Sequence, residues 1–343
     1  MSHTAVVILN YNGEKLLRQF LPSVTQHSPE AEVIVADNGS TDQSLHTLQQ
    51  DFPNVRTILL PANYGFCGGY NRALGQVGAD YYVLLNSDVE VTPGWLKPMI
   101  AMLDSDPRIA AVQPKILSQR DKTLFEYAGA GGGFIDAFGY PFCRGRIFQK
   151  VEKDNGQYND QAEIFWSSGA CMIIRAEVYH QLGGLDEDFF AHMEEIDLCW
   201  KIQRSGQKIA YCGISTVYHV GAGTLGYDSP RKTYLNFRNN LSLIFKHFNN
   251  LEIWYKLPLR FLLDGLAALV FVLKGRFGSA GGVLKAQAHF LRRIGRDMKK
   301  RQALKAYPYF SGRTIYPGLI ITAFYLQSRK TYNKLVETAG KAV

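Results

Sequence analysis

Short apolar runs that end in polar residues repeat along the first half of the chain. The runs occupy residues 5–9, 32–36, 55–60 and 81–85. They are short and rich in Val, Ile and Leu, which is typical of buried strands in a parallel sheet. Segments with helical spacing of apolar residues separate them. The pattern predicts an α/β fold with a mostly parallel, Rossmann-like sheet.

Three of these runs end in polar loops, at residues 10–12, 37–40 and 86–88. The carboxyl ends of parallel strands meet at one edge of a sheet, and ligands bind there. The arrangement therefore predicts a nucleotide site. Neither a G-x-G-x-x-G fingerprint nor a G-x-x-x-x-G-K-[ST] loop follows the first run, which argues against a dinucleotide site or a P-loop.

Asp88 follows the most apolar of the runs, two residues after Asn86. A carboxylate and an amide oxygen suit a hard divalent cation such as Mg²⁺ or Mn²⁺. The alternative is a turn or helix cap with no ligand. His219 precedes a glycine-rich break after a strand-like segment, and is either a structural histidine or a metal ligand.

The loops after the second and third runs carry further candidates. Asp37 could accept hydrogen bonds from a base or ribose, or form an Asx turn. The glycine-rich loop at residues 63–69 would let the backbone approach a ligand closely. Arg72, in the helix predicted for residues 70–77, could face a phosphate or lie on a solvated helix surface.

The second half of the chain carries candidates for a general base and for contacts with a sugar. Glu194 and Glu195 open a predicted helix, where they could complement the helix dipole or provide a general base. Trp166 could stack on a sugar ring or pack in the core. Residues 129–146, rich in glycine at their start, have the composition of a mobile lid.

Composition indicates a folded protein: of 343 residues, 46% are hydrophobic and 20% are charged. The five cysteines are scattered without a C-x-x-C pair, which argues against disulfides or a zinc site and for a reducing compartment. The first strand begins almost at the N-terminus, so we expect no signal peptide and a cytoplasmic protein.

Charge divides the chain into two parts. Residues 1–228 hold 17 basic and 26 acidic residues, whereas residues 229–343 hold 21 basic and 4 acidic residues. Within the basic part, residues 257–273 are apolar but contain Arg260 and Asp264, and residues 285–305 are strongly basic. We expect attachment to the inner face of an anionic membrane. A membrane hairpin and a homo-oligomer interface are the alternatives.

The ordered motifs resemble those of inverting glycosyltransferases of family 2, which have the GT-A nucleotide-diphospho-sugar transferase fold. The resemblance covers about residues 4–240, and the rhamnosyltransferase-like bacterial branch of cell-surface polysaccharide synthesis is the most similar. It rests on residues 6–12, 35–42, 63–66, 85–88, 183–186 and 194–198.

The resemblance implies a role for each candidate. Asp88 and His219 would bind Mn²⁺ or Mg²⁺, and Glu195 or Glu194 would be the catalytic base. Two residues depart from the family pattern, because Asn86 and Glu195 each replace an aspartate. The expected nucleotide-binding residues are Asn10, Asn12, Asp37, Asn63, Gly69 and Arg72. The expected donor- or acceptor-binding residues are Asn86, Trp166, Ser168, Gly169 and Asp197.

The sequence thus predicts a catalytic domain over residues 1–240 and a basic, helical, membrane-associating region over residues 241–343. The expected reaction moves a sugar from a UDP- or dTDP-sugar to a hydroxyl of a saccharide or lipid-linked acceptor. A nucleotidyltransferase would need a phosphate-binding motif after the first strand, which residues 10–13 lack. A catalytically weak scaffold stays open. A nucleic-acid-binding protein is not expected, because no helix-turn-helix, RNP or zinc pattern is present.

Overall fold

The computed structural model describes residues 2–221, 229–310 and 312–338. Its strands are β1 Thr4–Asn10, β2 Ala31–Asp37, β3 Arg56–Leu59, β4 Tyr81–Asn86, β5 Val89–Val91, β6 Ile109–Ser118, β7 Gly133–Asp136, β8 Pro141–Cys143, β9 Arg146–Ile147, β10 Lys150–Val151, β11 Gln161–Ile164, β12 Cys171–Arg175, β13 Lys208–His219 and β14 Ile315–Tyr316. Its helices are α1 Glu14–His27, α2 Ser44–Asp51, α3 Gly65–Leu74, α4 Lys97–Ser105, α5 Ala176–Gln181, α6 Glu194–Arg204, α7 Pro230–His247, α8 Asn250–Leu273, α9 Phe277–Ala303, α10 Ile320–Tyr325 and α11 Tyr332–Thr338.

The main sheet has the order β11-β13-β6-β12-β4-β1-β2-β3, with β5 paired to β13. Strands β4, β1, β2 and β3 run parallel, and their register places Asn10 beside Asp37 and Leu9 beside Asn86. Strand β12 is antiparallel to both β4 and β6. The predicted α/β class is confirmed, and the polar ends of β1, β2 and β4 do meet at one edge.

Helices cover both faces of this sheet because the strands are apolar on both sides. Val6 and Ile8 pack with α1 and α4 in one core, whereas Ala5 and Val7 pack with α3 and α6 in the other. Helix α3 begins at Gly65, inside the segment predicted as a loop. The glycines there allow helix and sheet to approach closely: a Cβ on Gly69 would lie 2.8 Å from the Leu9 side chain.

A small second sheet, β10-β9-β8-β7-β14, lies where the sequence suggested a mobile lid. Phe134 and Phe142 stack inside it. Arg144 is buried and donates two hydrogen bonds of 3.0 Å to Asp160. The segment predicted as a loop is therefore folded into strands, with aromatic packing inside it and a bidentate ion pair to Asp160; its role as a lid stays a prediction.

The C-terminal helices pack on the catalytic body. The domain boundary expected at residue 240 falls inside α7, which is buried on both sides of that position. Helix α7 packs along α9, and α8 packs against α9. In the ranges that the structure describes, no helix combines the length and the apolarity needed to cross a bilayer.

Candidate active site

The ends of β1 and β2 form the first part of the site. Asn10 Nδ2 donates to Asp37 Oδ1 at 3.1 Å, and Asp37 Oδ2 accepts from the Ser40 backbone N–H at 2.9 Å. Asn12 also belongs here, because its N–H donates to Ser40 Oγ and its Oδ1 accepts from the Thr41 N–H. The Asx-turn alternative explains the contact of Asp37 Oδ2 with the Ser40 backbone. The role of Asp37 in binding the base of the nucleotide stays a prediction.

A second loop closes beside this one. Asn38 Nδ2 donates to Asn63 Oδ1 at 3.2 Å and to the Gly65 carbonyl at 3.0 Å, and Asn38 Oδ1 accepts from the Tyr64 N–H. Gly69 lies below, where a Cβ would be 3.0 Å from Asn38 Nδ2. The predicted nucleotide loops are thus joined by Asn38, a residue that the sequence did not single out.

Arg72 lies at the far end of α3. Its guanidinium is 4.0 Å from the centre of the Tyr64 ring and donates to Glu187 Oε1 at 2.9 Å. The side chain is partly exposed, and Glu187 is half exposed. Exposed ion pairs of this kind contribute little to stability. The phosphate-binding role of Arg72 stays a prediction.

The ends of β4 and β13 bring Asp88 and His219 together. Asp88 Oδ1 lies 3.1 Å from His219 Nε2, and the Asn86 amide lies 3.4 Å from the same nitrogen. Glu126 Oε1 lies 3.6 Å from His219 Nδ1, which has no hydrogen-bond partner among the described residues. Burial alone would lower the pKa of His219, but Asp88 and Glu126 raise it to about 10.

These groups fit a divalent cation in part. Asp88 would supply a carboxylate oxygen to such an ion, and His219, in its neutral form, would supply an imidazole nitrogen. Among the described residues, no three His, Cys, Asp or Glu side chains converge as a complete metal site. The chain could therefore supply part of a coordination shell, as is usual for ions that also bind phosphates.

The predicted acidic residues open helix α6. Glu194 is buried and Glu195 is partly exposed, and one carboxylate oxygen of each is buried without a hydrogen-bond partner in the described part of the chain. Burial raises the pKa of Glu195 to about 7. Burial and the neighbouring Glu195 raise the pKa of Glu194 well above its usual range. A carboxylate near neutral pKa is suited to accept a proton at physiological pH.

Glu195 faces the same edge of the sheet as the other loops. A Cβ on Gly169 would lie 3.3 Å from the Phe66 ring and 3.9 Å from Glu195 Cβ. Next to Gly169, the Ala170 carbonyl accepts from the Asn86 N–H at 3.0 Å. The start of β12 therefore places Glu195 beside both the glycine-rich segment of α3 and the end of β4.

Three of the predicted ligand-binding residues are placed in the interior. Trp166 is 4% exposed, packs on Gly133 and donates to the Phe134 carbonyl, which matches the core-packing alternative. Ser168 is buried and donates to the Ala128 carbonyl at 2.6 Å. Asp197 is buried against Lys246 and His247 at 2.6 and 2.9 Å. Their contacts are those of packing and ion pairing within the protein.

Comparison with known proteins agrees with this geometry. The model of the glycosyl transferase family 2 matches residues 5–183. An N-acetylglucosaminyl-diphospho-decaprenol L-rhamnosyltransferase of Mycobacterium tuberculosis is 27% identical over 283 residues, which cover 77% of this chain and 90% of the relative. The rhamnosyltransferase WbbL of Escherichia coli is 24% identical over 60% of this chain and 79% of its own.

Two solved structures share the fold. GalNAc-T7 with UDP, GalNAc and Mn²⁺ has a TM-score of 0.58 at 15% identity; the match covers 90% of this chain and 58% of GalNAc-T7. A mannosyltransferase of Pyrobaculum calidifontis with GDP-Man and Mn²⁺ has a TM-score of 0.53 at 14% identity, over 84% of this chain and 87% of its own.

The sheet topology and these likenesses define a GT-A fold, the architecture of nucleotide-sugar transferases. More particularly, the chain belongs to glycosyltransferase family 2, as its sequence motifs indicated. It is a glycosyltransferase, and the resemblance stated from the sequence is confirmed.

Proposed function

We propose that this protein transfers a sugar, with inversion, from a UDP- or dTDP-sugar to a hydroxyl of a saccharide or lipid-linked acceptor in bacterial cell-surface polysaccharide synthesis. One observation carries the proposal: Asp37 at the end of β2, Asp88 after β4 and Glu195 at the start of α6 lie at one edge of the main sheet, although they are far apart in sequence. The Mycobacterium tuberculosis relative, by its name an N-acetylglucosaminyl-diphospho-decaprenol L-rhamnosyltransferase, supports a lipid-linked acceptor.

Each of these residues would have a different role in the reaction. Asp37, held by Asn10 and Ser40, would face the base of the nucleotide. Asp88 and His219, with Asn86 beside them, would hold Mn²⁺ or Mg²⁺. Such an ion, when bound, stabilises the negative charge on the leaving nucleoside diphosphate.

Glu195 would act on the acceptor. Its carboxylate would take the proton from the acceptor hydroxyl as that oxygen attacks the anomeric carbon from the face opposite the nucleotide. A single displacement inverts the anomeric centre and needs no covalent intermediate with the protein. Among the described residues, no group forms a hydrogen bond with Glu195 Oε2, which is buried.

Helix α8 supports attachment to a membrane surface. Its charged residues Lys256, Arg260 and Asp264 are buried, whereas the apolar residues on its other side face solvent. This reverses the usual polarity of a helix on a globular protein. The exposed apolar side chains of α8 are Leu251, Trp254, Tyr255, Leu262, Leu266, Leu269, Val270, Val272 and Leu273.

Exposed basic side chains also occur near α8. Lys274 directly follows it, and Lys285 and Arg292 are exposed on α9, which packs against it. An exposed apolar helix face together with exposed cations suits an anionic lipid surface. We propose that α8 lies in the membrane interface and keeps the active site close to a lipid-linked acceptor.

Calorimetry with UDP, dTDP and GDP, each with and without Mn²⁺, tests the donor assignment. We expect Mn²⁺-dependent binding of UDP or dTDP and none of GDP. Transfer is then measured with the sugar nucleotides of the base that binds and polyprenyl-diphosphate-linked acceptors, and the anomeric configuration of the product reports inversion. A folded protein that binds none of the nucleotides would instead support a scaffold.

A further inference from the structure

The segment that leads into the base-bearing helix has a strained backbone. Phe190, His192 and Met193 have φ values of 67°, 70° and 74°, the left-handed region that side chains other than glycine rarely adopt. This conformation is energetically unfavourable for such residues, and it persists only where the surrounding structure imposes it. Met193 directly precedes Glu194, so this backbone sets where α6 begins.

Helix α7 provides the contacts that impose it. Asn239 Nδ2 donates to the carbonyls of Phe189, Ala191 and His192 at 3.1, 2.9 and 2.7 Å. All three partners are acceptors, which fixes the orientation of the Asn239 amide. The side chain is fully buried, so its hydrogen bonds cannot be replaced by water without opening the structure.

Arg238 supports the same segment. Its Nη2 donates to the carbonyls of Asp188 and Phe189 at 3.1 and 2.9 Å, and its Nε donates to Asn239 Oδ1 at 2.8 Å. The two neighbouring residues thus form one unit, which holds four carbonyls between residues 188 and 192, all except that of Phe190. We name it the Arg238–Asn239 clamp.

Residues 189–193 also contact the glycine-rich loop at residues 63–69, which is predicted to bind the nucleotide of the donor. The Phe190 carbonyl accepts from the Phe66 N–H at 3.2 Å. Gly65 leaves room for the Phe190 ring, because a Cβ there would lie 2.8 Å from it. The backbone from residue 189 to residue 193 therefore connects α7, the helix of Glu195 and the loop that begins α3.

We propose that Arg238 and Asn239 are positioning residues for glycosyl transfer: they hold residues 189–193, with the positive φ angles of Phe190, His192 and Met193, in the conformation that sets Glu195 against the glycine-rich loop at residues 63–69. The catalytic part of this inference rests on the proposed function of Glu195. The inference also gives α7 a direct part in organising the site. Most of this helix lies at the end of the catalytic domain that the sequence predicted.

Two substitutions of Asn239 separate hydrogen bonding from packing. Asn239→Ala removes the side chain, whereas Asn239→Asp keeps its shape and its acceptor for Arg238 but removes the donors. Ser242→Ala is the matched control, because it removes another buried hydrogen bond of α7, the 2.7 Å bond to Asp297 on α9. Backbone hydrogen exchange of the purified protein and steady-state transfer are measured for all three.

In both Asn239 variants we expect amides of residues 189–197 to exchange at least about tenfold faster than in the wild type, as the loss of one hydrogen bond implies. The transfer kcat should fall at least about tenfold, while Ser242→Ala stays within about threefold on both measures. Unchanged exchange in Asn239→Ala, or wild-type exchange and kcat in Asn239→Asp, would overturn the clamp.

The two proposals fail separately. If the wild type transfers no sugar but the Asn239 variants still exchange faster than it does, the clamp is upheld and the proposed function is refuted. If Asn239→Ala does not fold, Arg238→Lys makes the same test, because lysine keeps the charge but lacks the second nitrogen that reaches the carbonyls of residues 188 and 189. Wild-type exchange in Arg238→Lys would then overturn the inference.

Discussion

Lys246 Nζ lies 2.6 Å from Asp197 Oδ1, and both side chains are buried. The contact joins α7 to the helix that carries Glu195, and the same ammonium lies 2.7 Å from Asp186 Oδ2. Burial opposes ionisation of Asp197, but Lys246 and His247 hold the pKa of this carboxyl well below its usual range.

Lys246→Met should therefore destabilise the protein strongly. Removing one partner leaves buried carboxylates uncompensated, which costs about 3–5 kcal/mol of unfolding free energy. Denaturant unfolding followed by circular dichroism measures it. The control is Lys300→Met, whose partly exposed ammonium pairs with Asp188 at 2.5 Å and should contribute less. Equal losses in the two variants would contradict the assignment.

Glu195→Gln should stop transfer without impairing donor binding. Loss of a general base lowers kcat by about 10²–10⁴-fold. The thermal midpoint should not fall, because the neutral amide avoids the cost of a buried carboxylate. Glu194→Gln is the matched control, one residue earlier in the same helix turn; if that variant loses transfer instead, the base is Glu194.

The rate should depend on pH in the direction set by Glu195. Burial raises the pKa of this carboxyl to about 7, and a base acts only when deprotonated. The kcat at saturating donor should thus be level at alkaline pH and fall as pH drops below about 7. A profile measured from pH 5 to 9 that stays level down to pH 5 would exclude a base with this pKa.

Asp88→Asn should abolish the effect of Mn²⁺ on UDP or dTDP binding. The amide keeps the size of the side chain but loses the charge that a hard cation prefers. Calorimetry without acceptor measures binding independently of turnover. Glu90→Gln is the control, because Glu90 lies two residues later and pairs with Lys122 at 2.6 Å. Retained Mn²⁺ dependence in Asp88→Asn would remove Asp88 from the metal site.

Leu266→Glu should weaken binding to anionic vesicles by about tenfold or more, since a charge would enter the lipid interface. Sedimentation with phosphatidylglycerol-containing vesicles measures the bound fraction. Leu59→Glu, which changes another exposed leucine, on β3, should bind like the wild type. If Leu266→Glu changes the oligomeric state in sedimentation velocity but not vesicle binding, a second copy of the chain covers α8 instead.

The parts of the site that sequence predicted correctly are those set by local pattern. The apolar runs that became β1, β2 and β4 are continuous, so their polar ends at Asn10, Asp37 and Asn86 had to meet at one edge. Helix α6 was predicted to begin at Glu194, as observed. Local spacing suffices here because neighbours in sequence share one face.

Other residues took roles that depend on distant partners. Glu126 approaches His219 although nothing in its surrounding sequence indicates a ligand site. Of the basic residues in α9, Arg293 and Lys300 bind Asp188 of the catalytic body, so part of the charge assigned to a membrane is used within the protein. Trp166 became a core residue because Gly133, far from it in sequence, leaves space for its ring.

The sequence by itself determined the α/β class, the family and the segments that carry Asp37, Asp88 and Glu195, because strands and motifs depend on residues that are neighbours in the sequence. Only the tertiary structure decided that α7 holds the backbone before Glu195. That role depends on Asn239 meeting three carbonyls some fifty residues earlier in the chain. Hydrogen bonds between distant segments leave no periodicity in the sequence, since their geometry exists only after the chain has folded.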